Sequence, residues 1–92
     1  MALLDLLGRR WSLRVLWELG DGSAPSFREL QARCGDISSS VLNDRLRELR
    51  DAGIVDAEQT DGYRLTQEGR RLIEALTPID AWAKRWARRT AG

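Results

Sequence analysis

The segment SFRELQARCGDISSSVLNDRLRELRDAGIV, residues 26–55, carries the start and stop signals of two consecutive helices. Its first four residues form a capping box, in which Ser26 caps a helix and Glu29 follows three positions later. Gly35 is placed to end this first helix. The segment therefore opens with a short helix of about two turns.

The second helix of this segment begins in a run of three serines. Ser38 is its expected N-cap, and the helical pattern continues to about Ala52, with Gly53 as a left-handed stop. Ile37 is an isolated apolar residue in the preceding turn, and we expect it to be buried. Two short helices joined by such a turn predict a helix-turn-helix.

The second helix has two dissimilar faces at 100° per residue. Leucines 42, 46 and 49 cluster on one side, with Arg45 at the edge of that cluster. The opposite side is polar, as expected for a helix that enters the major groove of DNA. An amphipathic helix with a merely solvated face and capping serines is the alternative interpretation. The polar side carries Ser40, Asn43, Asp44, Arg47 and Asp51.

Downstream of this pair the pattern changes from helix to hairpin. The stretch IVDAEQ has strand propensity, TDG at 60–62 is a turn, and YRL at 63–65 is a second strand, which together predict a small wing. Thr66 is placed to cap another helix. The dipeptide Thr77-Pro78 then predicts the start of a separate last helix, because proline is favoured at the first helical position.

Upstream, Ala2 to Leu7 predicts a short helix closed by Gly8. Ser12 is the expected N-cap of a following helix that ends near Gly20. The whole chain predicts a mostly helical α+β winged helix-turn-helix with helices on either side. We expect one domain over residues 1–92, divided into N-terminal helices (1–20), helix-turn-helix (26–53), wing (54–65) and C-terminal helices (66–90).

Composition narrows the chemistry. The chain has 92 residues, one cysteine, Cys34, and no histidine, which argues against a Cys/His zinc site and against a histidine-dependent catalytic pair. We see no phosphate loop and no paired carboxylates, and predict neither an enzyme nor a bound cofactor or metal. No apolar run reaches the roughly 18–20 residues of a membrane span, so we expect a soluble cytoplasmic protein.

Three stretches resemble the HxlR-type branch of the winged-helix transcriptional regulators, relatives of the MarR group: LLDLLGRRWSLRVLWEL, SFRELQARCGDISSSVLNDRLRELRDAGIV and YRLTQEGRRL. The resemblance covers nearly the whole chain. It implies a bacterial, homodimeric, DNA-binding repressor or activator whose first and last helices form the dimer interface. The wing tip here, residues 58–61, is shorter and more acidic than is usual in this family.

Some members of this family sense oxidants through a cysteine just before the first helix. Cys34 lies elsewhere, at the end of the first helix of the helix-turn-helix, where the helix dipole disfavours a thiolate. We expect it to be an inert, partly buried thiol.

An apolar stripe on the last helix predicts self-association. Its members recur at positions i, i+3, i+4 and i+7, and we expect them to pack against leucines of the first helix, partly across a two-fold axis. An aromatic pocket for a flat effector between subunits is a second hypothesis for the same tryptophans. The predicted interface consists of Leu3, Leu4, Leu7, Ile79, Trp82, Ala83 and Trp86.

These patterns predict a sequence-specific regulator that binds double-stranded DNA as a dimer, with half-sites roughly one helical turn apart. The alternative is a winged helix used for protein contact, with weak or no DNA binding, which the near-zero net charge of +1 and the acidic wing favour. The predicted DNA-binding residues are Ser38, Ser39, Ser40, Asn43, Asp44, Arg45, Arg47, Arg50, Arg28 and Arg64.

Overall fold

The computed structural model describes residues 2–35, 37–58 and 62–91, with side chains for 4–35, 37–56 and 62–90. Five helices and one hairpin follow one another along this part of the chain, as a winged helix-turn-helix requires. The predicted fold class is confirmed. The elements are α1 (Ala2–Leu7), α2 (Ser12–Glu18), α3 (Phe27–Arg33), α4 (Ser39–Asp51), β1 (Val55–Glu58), β2 (Gly62–Leu65) and α5 (Gln67–Ala91).

Both predicted caps of the helix-turn-helix are present. The Ser26 hydroxyl accepts from the Glu29 amide at 3.2 Å, and the Glu29 carboxylate accepts from the Ser26 amide at 3.4 Å, which completes the capping box. The Ser38 hydroxyl accepts from the Val41 amide at 3.2 Å and starts α4. Helix α4 ends as predicted, with Gly53 at a φ of 75°.

One apolar core joins α2, α3, α4 and the hairpin. Leu42, Leu46 and Leu49 are at most 1% exposed, so α4 is attached through the leucine face that its periodicity predicts. Ile37 is buried in the turn between α3 and α4, also as predicted. The core comprises Val15, Leu16, Leu19, Leu30, Cys34, Ile37, Leu42, Leu46, Leu49, Ile54, Val55 and Leu65.

The predicted N-cap of α2 is wrong by one residue. Helix α2 begins at Ser12 itself, and the cap position is taken by Trp11, whose φ is 77°. Because the chain turns through this left-handed residue, Ser12 enters the first helical turn and its side chain points into the core. Ser12 is fully buried, and its hydroxyl has no hydrogen-bond partner among the described residues.

The hairpin is antiparallel, with Val55 opposite Leu65 and Asp56 opposite Arg64. Its second strand starts one residue earlier than predicted, at Gly62. The Tyr63 amide donates to the Pro25 carbonyl at 2.9 Å, which fixes the hairpin to the segment before α3. Of the predicted wing tip at 58–61, Glu58 ends the first strand, and residues 59–61 lie outside the described residues.

The two helices predicted after the wing are a single helix. Helix α5 runs from Gln67 to Ala91 and passes through Pro78, so the predicted break at Thr77-Pro78 is wrong. Proline lacks the N–H that would donate to the carbonyl four residues earlier, but good helix formers on both sides carry the helix across this single gap. The Thr77 hydroxyl donates to the Ile73 carbonyl at 2.9 Å, one residue before the carbonyl that Pro78 leaves without its helical donor.

Candidate nucleic-acid interface

The outer face of α4 is an exposed polar surface next to the turn. Its leucines are buried, while Ser39, Ser40, Asn43, Arg47 and Arg50 are exposed and Asp44 is half-exposed. The structure thus places together most of the residues that the sequence predicts at a DNA interface. Small serine side chains occupy the N-terminal end of this face, so backbone amides and hydroxyls are accessible there. Arginines lie towards its C-terminal end.

A hydrogen-bonded clasp fixes the start of α4 to α3. The side-chain amide of Gln31 donates to the Ser39 hydroxyl at 3.0 Å and to the Ile37 carbonyl at 3.3 Å. The Ser38 and Ser40 hydroxyls lie 3.4 Å apart. Sequence analysis did not select Gln31, whose only signal was a polar residue next to the buried Leu30 on a short helix. These hydrogen bonds therefore help to fix the angle between α3 and α4.

Arg47 and Asp44 form an exposed ion pair on this face. The Arg47 guanidinium donates to the Asp44 carboxylate at 2.9 Å, and their side chains are 67% and 46% exposed. Three residues of separation put both side chains on one side of the helix. An acidic residue on a DNA-facing surface thus has a structural role here, because it orients the arginine beside it.

Arg45 differs from the other predicted DNA contacts. Its side chain is only 14% exposed and lies 3.4 Å from the Glu48 carboxylate on the same helix. The structure therefore places Arg45 on the flank of α4 rather than on its outer face. Arg28 lies exposed on α3, and Arg64 lies half-buried on β2.

The predicted interface on α5 is an exposed apolar surface. Ile79, Trp82 and Trp86 are between 55% and 59% exposed, and Leu4 on α1 is 65% exposed. The rings of Trp82 and Trp86 stack with centroids 5.9 Å apart at 7°. Exposed apolar side chains grouped on one helix face are typical of interaction sites.

Other members of the predicted interface are less exposed. Ala83 is half-buried, and Leu7 is half-buried and packs against the core of its own chain. The side chain of Leu3 lies outside the described residues. Helix α2 extends the apolar surface through Leu13 and Trp17, which are 47% and 42% exposed. Sequence analysis missed these two, although their i, i+4 spacing off the buried stripe of α2 was a usable signal.

Two open clefts border this surface. One of about 510 Å³ is lined by Trp82, Trp86 and Thr90 together with Arg85 and Arg89. The other, of about 310 Å³, lies between α2 and α5. An aromatic floor with guanidinium groups at its edge is suited to flat ligands that carry negative charge.

Cys34 is buried, with 4% of its surface exposed. Burial raises the pKa of its thiol, and the nearby carboxylate of Glu18 raises that pKa further. Both effects favour the unreactive thiol, as expected from its position in the sequence.

The helix-turn-helix, the hairpin wing and the polar outer face of α4 together define the class of winged-helix transcriptional regulators. The family model for the HxlR-like helix-turn-helix matches residues 6–91. The chain belongs to this family.

Individual relatives agree with this assignment. The HTH-type transcriptional regulator YvaP of Bacillus subtilis is 33% identical over 89 residues, which cover 90% of this chain and 82% of YvaP. The HTH-type regulator YdzF of the same organism is 27% identical, over 86% of this chain and 78% of YdzF. The crystal structure of quinone-bound YodB from B. subtilis superposes with a TM-score of 0.83 at 32% identity, over 91% of this chain and 92% of that one.

No helix within the described ranges combines the length and the apolar character that a membrane span needs.

Proposed function

We propose that this protein is a homodimeric, sequence-specific regulator of transcription in the bacterial cytoplasm. Each protomer inserts α4 into the major groove of a pseudo-palindromic operator. The observation that carries the proposal is the outer face of α4, where serines, an amide and two arginines stand exposed opposite three fully buried leucines. The family supports a helix-turn-helix regulator.

Roles for the residues follow from their positions on α4. The serines at 38–40 approach phosphate at the helix N-terminus, where N–H groups point outward. Asn43 is suited to the paired donor and acceptor of adenine, and Arg47 to guanine or phosphate. Arg50, Arg28 and Arg64 supply further phosphate contacts. Arg45 supports α4 from its flank, because its side chain is mostly covered.

Dimerisation supplies the second recognition helix. Helix α5 has 25 residues, and from Thr77 onward every described side chain is exposed or half-exposed within a single chain. A second copy packed against Ile79, Trp82 and Trp86 would cover this apolar stripe. Two α4 helices related by a two-fold axis would then meet half-sites about 34 Å apart, one turn of the double helix.

The proposal is tested by selecting duplexes from a randomised DNA pool with the purified protein. We expect enrichment of an inverted repeat with half-site centres about 10 base pairs apart. Enrichment of a single half-site would contradict the dimeric arrangement, and no enrichment would contradict sequence-specific binding.

Substitution of Arg47 separates DNA contact from stability. We expect Arg47→Ala to weaken operator binding about tenfold or more, because a base or phosphate contact is worth roughly 1–3 kcal/mol in each protomer. Its exposed pair with Asp44 contributes at most about 1 kcal/mol to folding, so the melting temperature should change little. Binding is measured by fluorescence anisotropy and melting by circular dichroism.

Arg71→Ala is the matched control. Arg71 forms an equivalent pair with Glu68 three residues earlier on α5, and its side chain is 61% exposed. We expect this variant to bind DNA as the parent protein does. Equal binding by both variants would remove Arg47 from the interface, and a large fall in the melting temperature of Arg47→Ala alone would make Arg47 structural.

We also propose a small aromatic effector that binds at the Trp82–Trp86 cleft between the subunits. The stacked indoles and the adjacent Arg85 and Arg89 support this, as does the quinone-bound state of the relative YodB. Titration with a water-soluble benzoquinone or naphthoquinone should quench tryptophan emission to a saturable limit. We expect Trp86→Leu to abolish the saturable component. Linear quenching of both proteins would exclude a site.

A protein partner for α4 is the second candidate function. The Asp44–Arg47 pair favours it, because the pair neutralises an exposed arginine of this face, and the net charge is only +1. Binding to DNA that is weak, independent of sequence and nearly independent of salt would support this candidate over the first.

A further inference from the structure

Three charged side chains connect the start of the chain to the flank of α4. The Glu48 carboxylate lies between two guanidinium groups, with Oε1 3.6 Å from Nε of Arg9 and Oε2 3.4 Å from Nη1 of Arg45. The side chains of Glu48 and Arg45 are only 25% and 14% exposed. Glu48 thus joins the connection between α1 and α2 to the helix that carries the candidate DNA interface.

The connection that supplies Arg9 is held in an unfavourable conformation. Trp11 has a φ of 77°, which is uncommon for a bulky residue and costs conformational energy. The Arg10 guanidinium lies 5.7 Å from the Trp11 ring centre, and the ring packs against the core. Tertiary contacts maintain this conformation, so Arg9 follows α1 in a strained connection rather than in a relaxed loop.

The link to α4 is incompletely satisfied. Nε of Arg45 and Oε2 of Glu48 are buried, and neither has a hydrogen-bond partner among the residues that the structure describes. Partly satisfied polar groups in a covered site are sensitive to small displacements, because their electrostatic interactions are poorly screened there. This distinguishes the Arg45–Glu48 contact from the more exposed ion pairs on α4 and α5, which contribute little, while the Arg9 side chain, 59% exposed, forms the solvent-facing end of the link.

We infer that Glu48 is a positioning residue for DNA binding, through which the α1–α2 connection sets the orientation of α4. The inference rests on the proposed function, since α4 must contact DNA for its orientation to matter. It adds a physical connection, through Arg9 and Glu48, between α1 and the DNA-binding surface of α4. Arg9 and Arg45 act on opposite oxygens of one carboxylate, so their contributions should depend on each other.

A double-mutant cycle tests this dependence. The probes are a duplex that the parent protein selects from a randomised pool and a scrambled duplex of equal length. The variants are Glu48→Gln, which removes a charge at constant side-chain length, Arg9→Gln, which replaces the guanidinium by a shorter neutral amide, and the double substitution, which removes both charges. Glu68→Gln is the control, because Glu68 forms an exposed pair with Arg71 on α5.

We expect Glu48→Gln to weaken binding to the selected duplex about three- to tenfold, with a smaller change on the scrambled duplex. Arg9→Gln should weaken it two- to fivefold in the parent background and have no further effect in the Glu48→Gln background. Glu68→Gln should bind as the parent does. Additive losses from Glu48→Gln and Arg9→Gln, or equal losses on both duplexes, would overturn the inference.

Stability is followed separately to exclude a general structural role. If Glu48→Gln does not fold, Arg9→Gln still tests the link, because the Arg9 side chain is 59% exposed and its loss should be tolerated. A loss of selective binding at an unchanged melting temperature is the expected result for Arg9→Gln. Unchanged binding by folded Arg9→Gln would overturn the inference. A parent protein that selects no duplex would instead refute the proposed function, and the inference with it.

Discussion

Ala83→Glu is expected to convert the protein to a monomer and to lower its affinity for the selected operator by about 100-fold or more. Ala83 lies among Ile79, Trp82 and Trp86 on the apolar stripe of α5. A carboxylate placed there would have to be buried without a partner when two stripes meet, which costs several kcal/mol. A monomer presents only one α4 and loses the gain in affinity that two linked contacts provide.

Ala81→Glu is the matched control, since it adds the same side chain two residues earlier on the same helix. Ala81 is exposed and lies about 200° from Ala83 around the helix axis, away from the stripe. We expect Ala81→Glu to remain dimeric and to bind the operator normally. Mass is measured by sedimentation equilibrium and affinity by anisotropy. Identical behaviour of the two variants in both measurements would show that the stripe is not the dimer interface.

Gly69→Ala is expected to destabilise the fold by about 2–3 kcal/mol, the cost of overpacking a closed site. A Cβ at position 69 would overlap the carbonyl oxygen of Ile54 and lie 3.0 Å from Cβ of Leu65. Both neighbours are fixed, because the Ile54 carbonyl also accepts from the Thr66 amide at 2.9 Å. The close approach of α5 to the hairpin therefore requires a residue without a side chain.

The better helix propensity of alanine, about 1 kcal/mol, offsets part of this overlap and is already included in the expected loss. In a domain of this size the net loss corresponds to a fall of roughly 10–20 °C in melting temperature. Gly22→Ala is the control, since a Cβ there meets nothing within 4 Å and only its φ of 76° is unfavourable. We expect it to cost about 1 kcal/mol. An unchanged melting temperature for Gly69→Ala would mean that α5 does not pack this closely.

Local signals were sufficient to predict the helix-turn-helix. The capping box of α3, Ser38 at the start of α4 and Gly53 at its end were all predicted, because caps and left-handed stops act within a few residues. The two errors in helix starts have a common cause. Ser12 and Pro78 are both strong local signals for the start of a helix. The packing of Trp11 overrides the first signal, and α5 continues through the second.

The candidate site was predictable only as far as helical periodicity reaches. The 3.6-residue repeat distinguishes the leucine face of α4 from its polar face, and so predicted the exposed positions of Asn43 and Arg47. Periodicity also put Arg45 at the edge of the leucine face, but it could not show that this side chain is mostly buried and paired with Glu48. The Gln31 clasp and the Arg9 link join residues from different helices, and such contacts depend on how the helices pack.

The central claim, that the outer face of α4 binds a particular DNA sequence, is tested most directly by fluorescence anisotropy. The purified protein is titrated into the selected duplex and into a scrambled duplex, from about 50 mM to about 200 mM salt. We predict markedly tighter binding to the selected duplex and a steep fall in affinity as salt rises, since several arginines displace counterions from phosphate. Equal, feeble binding to both duplexes across this range of salt would contradict the claim.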